Sequence, residues 1–412
     1  MQQQEHGIPV LRFPEFIEKW KNVRFDNVGT VIRGASPRPK GDPRYYGGTV
    51  PRLMVEDVAR DGKYVNPISD SLTEEGAQLS RFCSKGTLTI VCSGTAKTVG
   101  QAAFLAKDAC IHDGFLALIN IKEGYSQDFI YYVVQKFQEH SERMATHGGT
   151  FINLTTSILK DFTRGFPSYK EQQKIAAFLG AVDEKIGFLQ DKKDLLEKYK
   201  KGCMQKLFSQ EIRFTDDSGK AFPDWKMYEL DELFSAQRGQ GLSKGAIEEN
   251  GENPCILYGE LYTTYKEVIT EVKSYTNEDS GKKSKKGDLL VPSSTTTTGI
   301  DLANVTMLPY DDVYLGGDIT IMRSKKEVNS LFYAYYLTNY KKYEIAQHAQ
   351  GSTIVHLYFD HFKKIKVDYP SPNEQKKIAD FLSAIDDKIA LVSEELEKAM
   401  LFKKGLLQQM FV

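Results

Sequence analysis

Residues 167–186 read PSYKEQQKIAAFLGAVDEKI, and residues 370–389 read PSPNEQKKIADFLSAIDDKI. The offset is a constant 203, and 13 of the 20 positions are identical. Two unrelated amphipathic helices would share only their apolar positions. These also share Glu171 with Glu374, Gln172 with Gln375 and Asp183 with Asp386. The same offset pairs Lys200-Lys201-Gly202 with Lys403-Lys404-Gly405, and Phe208 with Phe411. The chain is therefore an internal repeat.

Both copies carry a 4-3 heptad seam. In the first it runs through Ile175, Leu179, Val182, Ile186, Leu189, Leu196, Cys203 and Leu207, interrupted by Lys193 and Lys200. In the second it runs through Ile378, Leu382, Ile385, Ile389, Val392, Leu396, Ala399, Leu406 and Met410, with Lys403 between. Each helix starts just after a proline segment, with Glu171 or Glu374 in its first turn, where a carboxylate suits the helix dipole. Neither helix can bury its seam alone, so the simplest pairing is with each other, antiparallel. Phe178 and Phe381 widen the apolar stripe beyond a two-helix seam, which predicts further packing helices, another subunit's included. Asp183 and Asp386 fall on helix faces and read as surface or partner contacts.

Outward from the helices, the repeat fades. Phe13-Pro14-Glu15 before Trp20 is matched with Phe222-Pro223-Asp224 before Trp225, Arg33-Gly34 with Arg238-Gly239, and Lys85-Gly86 with Lys286-Gly287. The segments 22–165 and 226–368 read as mixed α+β, with strands over Leu88–Cys92 and Asp288–Val291 and aromatic helices over Phe129–Phe137 and Leu331–Tyr343. The expected organisation is four parts: module one at 1–166, a central helix at 167–209, module two at 210–369 and a C-terminal helix at 370–412. It is an α+β fold with a pseudo-two-fold repeat.

Two loops recur in each module. The first is CSGTAKTVGQ (92–101) and PSSTTTTGI (292–300); the second is THGGTFINL (146–154) and AQGSTIVHL (349–357). Short hydroxyls, amides and glycines allow close approach to phosphates and base edges. The candidates are Ser93, Thr95, Lys97, Thr98, His147, Thr150 and Asn153, then Ser293, Ser294, Thr295, Thr296, Thr297, Gln350, Ser352, Thr353 and His356. Arg33, Ser36, Arg38, Lys40, Arg44 and Tyr45 add a basic, aromatic stretch suited to phosphate contact.

Composition bounds the partners. The chain has 412 residues and 54 Lys+Arg against 55 Asp+Glu, which excludes a uniformly basic coat protein but not local basic faces. The five cysteines lack any CxxC spacing, so neither a disulfide framework nor a zinc ribbon is expected, and a reducing, cytoplasmic setting fits. The opening MQQQEHGIPVLRFPEF has no secretory pattern. GxxxxGK[ST], HExxH and methyltransferase tetrapeptides are absent, and 47 residues separate Pro223-Asp224 from Glu271-Val272-Lys273, too many for a nuclease motif. No catalytic, cofactor-binding or metal-binding residue is expected.

The doubled P-S-x-x-E-Q-x-K-I-A-x-F-L motif, following two divergent modules, resembles the specificity subunit of type I restriction–modification systems. Gly34-Ala35-Ser36-Pro37, then Tyr45-Tyr46, then Pro51-Arg52-Leu53-Met54-Val55-Glu56-Asp57 is similar to that family's opening pattern, with Arg52-Leu53 where Trp-Ile is usual. The resemblance implies two target recognition domains, each reading one half of a split, asymmetric double-stranded DNA site. It implies an antiparallel coiled coil as spacer, with Ile175, Phe178, Leu179, Val182, Ile186, Leu189, Ile378, Phe381, Leu382, Ile385, Ile389 and Val392 at the coil and its partner surface. It implies two modification subunits carrying S-adenosylmethionine for adenine methylation, and restriction subunits using ATP and Mg. In the second module Ile256-Leu257-Tyr258-Gly259-Glu260-Leu261-Tyr262 is similar to another subgroup of these domains, which makes Tyr258 and Tyr262 candidates for DNA contact there. No run reaches ~18 apolar residues, so no membrane span is expected. The alternative is a coiled-coil adaptor whose modules bind a non-DNA ligand.

Overall fold

The computed structural model describes residues 8–95, 97–144, 146–148 and 151–412, without the side chains of 139–144, 146–148, 151 and 152. The chain divides into two compact units. One holds residues 1–189 and 395–412; the other holds 190–394. The two long helices, Tyr169–Phe208 and Pro372–Met410, each begin in one unit and end in the other.

Within the first unit, a five-stranded sheet has the order Thr30–Arg33, Phe115–Ile119, Leu88–Val91, Ala102–Leu105, Tyr64–Val65. A four-stranded sheet has the order Asp70–Leu72, Tyr46–Leu53, Ala109–Ile111, Arg81–Cys83. Leu88–Val91 is buried throughout, so it reads as an apolar run rather than an alternation. The second unit repeats the scheme. Phe234–Arg238, Ile319–Ser324, Asp288–Pro292 and Thr306–Leu308 form one sheet; Ser274–Thr276, Asn253–Ile256, Tyr314–Leu315 and Lys282–Lys283 form another. The first aromatic helix spans Gln127–Met144. The second stops at Asn339, short of the expected Tyr343, and a separate turn runs Lys342–Ala346. Asn339 bonds back to the Tyr335 carbonyl at 3.0 Å, the local competition that makes asparagine a poor helix interior.

In each unit the module core is completed by two helix ends. Ile175, Ala176 and Leu179 from the start of the central helix share a core with Leu406, Leu407, Met410 and Phe411 from the end of the C-terminal helix. Phe411 stacks on Phe129 at 5.3 Å and meets Trp20 edge-on at 6.3 Å. In the second unit Met204, Leu207 and Phe208 share a core with Ile378, Ala379 and Leu382, and Phe208 meets Phe332 and Tyr336 at 5.9 and 5.4 Å. The start of one helix thus lies with the end of the other in both units, which is the antiparallel pairing read from the seam. Burying each such aromatic or aliphatic side chain contributes roughly 1.5–3 kcal/mol.

Two of the seam lysines, Lys200 and Lys403, are members of polar clasps, not interruptions. Lys403 pairs with Asp183 at 2.7 Å, and Asp183 also accepts the Tyr132 hydroxyl at 2.6 Å. Lys200 pairs with Asp386 at 2.8 Å and Glu267 at 3.4 Å, and Asp386 accepts the Tyr335 hydroxyl at 2.5 Å. Asp183 and Asp386 are therefore internal ties between helix and module, correcting their reading as surface or partner contacts. Burial, reinforced by these carboxylates, raises both phenol pKa values and keeps the hydroxyls protonated as donors.

The shared Glu-Gln pair is also structural. Glu171 is 1% exposed and accepts two bonds from Arg12, at 2.7 and 2.8 Å, and one from Trp20 Nε1 at 3.3 Å. Glu374 is fully buried and accepts from Arg213 at 3.0 and 2.9 Å and from Trp225 Nε1 at 2.9 Å. Gln172 accepts from the Ser126 amide and donates to the Gly124 and Pro167 carbonyls; Gln375 accepts from the Asn329 amide and donates to the Pro370 carbonyl. Each pair thereby holds the loop before the aromatic helix. Phe178 packs edge-on against Phe13 at 5.8 Å, and Phe381 against Phe214 at 5.4 Å. The off-seam phenylalanines are thus contacted by this chain's own lead-in segments, with Phe178 still 36% exposed. The structural partner of Arg12-Phe13 is Arg213-Phe214, not Phe222-Pro223, because a turn closed by the Thr215–Ala221 bridge lengthens the second lead-in.

Removing one partner of a buried ion pair leaves an uncompensated charge. Arg213→Ala and Arg12→Ala are each expected to lower stability by ~3–5 kcal/mol. Urea unfolding followed by tryptophan fluorescence measures this. A loss within about 1 kcal/mol, the size of an exposed pair, contradicts the anchoring.

Candidate nucleic-acid interface

The two loops singled out in each module are hydrogen-bonded to each other. In the first unit Ser93–Gly94 pairs antiparallel with Phe151–Asn153, Ser93 opposite Asn153, and the Leu154 amide donates to the Cys92 carbonyl at 2.7 Å. In the second, Ser294–Thr295 pairs with Val355–His356, Ser294 opposite His356, and the Leu357 amide donates to the Ser293 carbonyl at 3.0 Å. Sequence alone put these loops 50 to 60 residues apart and gave no sign of the pairing.

Beside the paired loops lies a cleft that begins at the matched Arg-Gly dipeptide. A Cβ on Gly34 would stand 2.0 Å from the His112 carbonyl oxygen, and one on Gly239 would stand 1.9 Å from that of Gly316. Only glycine permits this backbone approach, which brings the turn before Phe115–Ile119 or Ile319–Ser324 against the arginine. Arg33 Nε donates to the Asp113 carbonyl at 3.0 Å, and Arg238 pairs with the Asp318 carboxylate at 3.3 Å.

The first cleft gathers Arg33, Ser36, Arg38, Lys40 and Ser93 from the candidate set, and adds Arg52, Met54, His112, Asp113 and Gly114. Ser36 Oγ donates to Asp113 at 2.8 Å, and Arg38 pairs with the same carboxylate at 3.1 Å. Arg44 and Tyr45 are not part of this cleft: Arg44 is bound by Asp42 at 2.8 Å and lies 5.2 Å from the Tyr45 ring centroid. Thr95 and Thr98 bond within their own turn, the Thr95 amide donating to Thr98 Oγ at 3.0 Å, while Lys97 is exposed. Asn153 is half-buried on the paired strand. Thr150 lies outside the described residues, and His147 is described in its backbone only.

The second cleft is lined by Arg238, Ser243, Lys244, Tyr258, Glu260, Thr263 and Asp318 with four glycines between. Arg238 lies over the Tyr358 ring at 4.6 Å, Tyr358 stacks on His356 at 5.6 Å, and His356 Nδ1 is 3.0 Å from Ser294 Oγ. Tyr262 instead faces a separate cavity with Lys200, Lys266 and Asn339. Ser293, Ser294 and Thr295 correct the reading of this loop. All three are buried, at 0, 5 and 2%, with hydroxyls bonded to Thr320, His356 and Thr297. The exposed hydroxyls here belong to Thr296, Thr297 and Thr298, the last two donating to Asp301 at 2.6 and 2.8 Å. Gln350, Ser352 and Thr353 are exposed at the tip of the second loop.

Sequence reasoning missed Arg52 and His112. Arg52 was visible only as a departure from Trp-Ile in the family pattern, and His112 sits in no recurring motif. The structure places both in the first cleft, beside Ser36 and Asp113.

The two modules share one scaffold, each offering a paired loop and an arginine-lined cleft with different side chains. The chain belongs to the family of type I restriction modification DNA specificity domains, whose model matches residues 17–198 and 223–400. It is 23% identical over 402 residues to the Type I restriction enzyme MjaIX specificity subunit of Methanocaldococcus jannaschii, covering 93% of this chain and 90% of that one. It is also 23% identical over 419 residues to the MjaVIII specificity subunit of the same organism, covering 98% and 93%. The fold matches the S subunit of a type I restriction–modification system from M. genitalium with a TM-score of 0.61, at 18% identity, over 98% of this chain and 99% of that one. The resemblance read from the doubled motif is borne out, and the adaptor alternative finds no support. Among the described residues no helix is long and apolar enough to cross a membrane.

Burial, with the Arg52 cation next, lowers the His112 pKa below the ordinary ~6.5. The unfolded chain therefore takes up this proton first as pH falls. The stability contributed by neutral His112 is complete above ~6.5 and is lost as pH drops below it toward the folded value. His112→Gln should lose less unfolding free energy than the parent between pH 7.5 and 5.5 in urea titrations. Equal losses contradict the assignment.

Proposed function

We propose that each module reads one half of a split, asymmetric DNA site, and that the helix pair fixes the unspecified gap between the halves. The observation that carries this reading is the recurrence of one loop-and-cleft scaffold with different side chains in the two modules. Half-site centres about one helical turn, ~34 Å, apart suit a spacer of this kind, since helices of 40 and 39 residues extend about 60 Å. In the first module Arg33, Arg38, Lys40, Ser93 and Lys97 contact the duplex; in the second, Arg238, Tyr258, Thr296, Gln350, Ser352 and Thr353 do so. A bidentate base contact from such side chains is worth ~1–3 kcal/mol of discrimination.

The chain supplies recognition and scaffolding, not chemistry. Two modification subunits bring S-adenosylmethionine, flip the target adenine and methylate one in each half-site. Restriction subunits bring ATP and Mg. The boundary at about residue 166 marks the exchangeable part of the first module. Replacing residues 22–165 with another module, and sequencing the methylome of cells that also express the modification subunit, should change one half-site and leave the other intact. Change in both halves contradicts modular reading.

A further inference from the structure

Among the described residues, the first cleft holds two buried donors without a hydrogen-bond partner. Arg52 is 4% exposed; one terminal nitrogen pairs with Asp70 at 2.5 Å, the other reaches Ser36 Oγ at 3.3 Å, and Nε has no partner. His112 packs edge-on against Phe115, and its Nδ1 accepts the Gly114 amide at 2.9 Å. The proton of the neutral ring therefore sits on Nε2, which is buried and also without a partner. A buried donor left unsatisfied costs ~1–3 kcal/mol, so such groups in a cleft mark where an acceptor enters.

We propose that this cleft is a phosphate site, with Arg52 and His112 as its floor and Arg38 and Lys40 as its rim, and that it holds a backbone phosphate of the bound DNA. The inference rests on the DNA-reading function above and adds to it the group bound and the residues that bind it. Charge favours phosphate over a base edge. The lining carries four cations, Arg33, Arg38, Lys40 and Arg52, against one acid, Asp113, whose carboxylate already accepts from Ser36 and Arg38. A phosphate offers acceptor oxygens only and one negative charge, matching donors without free acceptors. The low pKa of His112 keeps it a single neutral donor at pH 7. The second cleft is built otherwise, with Arg238 and Lys244 against Glu260 and Asp318, so the site belongs to the first module alone.

The test uses the chain assembled with its modification subunits. Binding is measured by fluorescence anisotropy on a duplex containing the recognised site and on one lacking it, across a salt series. Arg38→Gln and His112→Ala should each weaken both duplexes by the same factor, about two- to tenfold. Arg38→Gln should also reduce the slope of log K against log salt by ~0.9, and His112→Ala, which removes no charge, should leave it unchanged. Should His112→Ala fail to fold, the exposed Arg38→Gln still gives the reading. A loss confined to the cognate duplex would place a base edge in the cleft and overturn the proposal, as would unchanged binding by both variants. Inorganic phosphate that stabilises the parent complex but not Arg38→Gln, with DNA affinity equal in the two, would put a free ion there instead and overturn it too. A parent complex that binds neither duplex would overturn the DNA-reading function itself, along with this site.

Discussion

The buried carboxylate at the start of each long helix is the constraint on which the rest depends. Glu171 and Glu374 are removed from water at the point where module turns into helix. A charge in that position persists only with several well-placed donors. Here they are an arginine and a tryptophan from the lead-in segment, so the carboxylate fixes the lead-in against the helix. The neighbouring glutamine bonds loop backbone that would otherwise be buried without partners. Three turns further on, Asp183 and Asp386 tie the aromatic helix and a lysine of the other long helix to the same face. Lead-in, module and both helices thus meet through a short run of polar residues set in an apolar seam.

Away from these anchors the two modules differ. Both modules keep the arginine-glycine approach and the strand pairing between loops, which are backbone features. Around them the side chains diverge. One cleft is rich in cations and has buried donors seeking an acceptor; the other balances cations with acids and adds tyrosines. A specificity subunit needs this division, because affinity for the DNA backbone and discrimination among bases are carried by different groups. The chain's total charge is near neutral, yet the first cleft gathers Arg33, Arg38, Lys40 and Arg52.

The repeat, the heptad seam and the family were legible because they are periodic or doubled. The shared Glu, Gln and Asp stood out for the same reason, but their roles did not. A helix-face carboxylate looks identical in sequence whether it meets solvent or a buried tyrosine. Lys200 and Lys403 looked like breaks in the seam because their partners, Asp386 and Asp183, lie almost 200 residues or more away. The Arg-Phe pairs of the lead-ins were hidden by a longer turn in the second copy. Hydroxyl-rich loops were over-read at Ser293, Ser294 and Thr295, since composition does not show which hydroxyls fold inward. Arg52 and His112 gain meaning only from the cavity around them.

The central structural claim is that the last turns of the C-terminal helix complete the first module and not the second. Hydrogen exchange on the full chain and on a chain ending at Glu394 tests it most directly. The account predicts that the truncation exposes amides of Leu88–Val91, Phe115–Ile119 and Gln127–Met144, while Asp288–Pro292 and Ile319–Ser324 keep their protection. Unchanged protection in the first module, or a loss confined to the second, would contradict it.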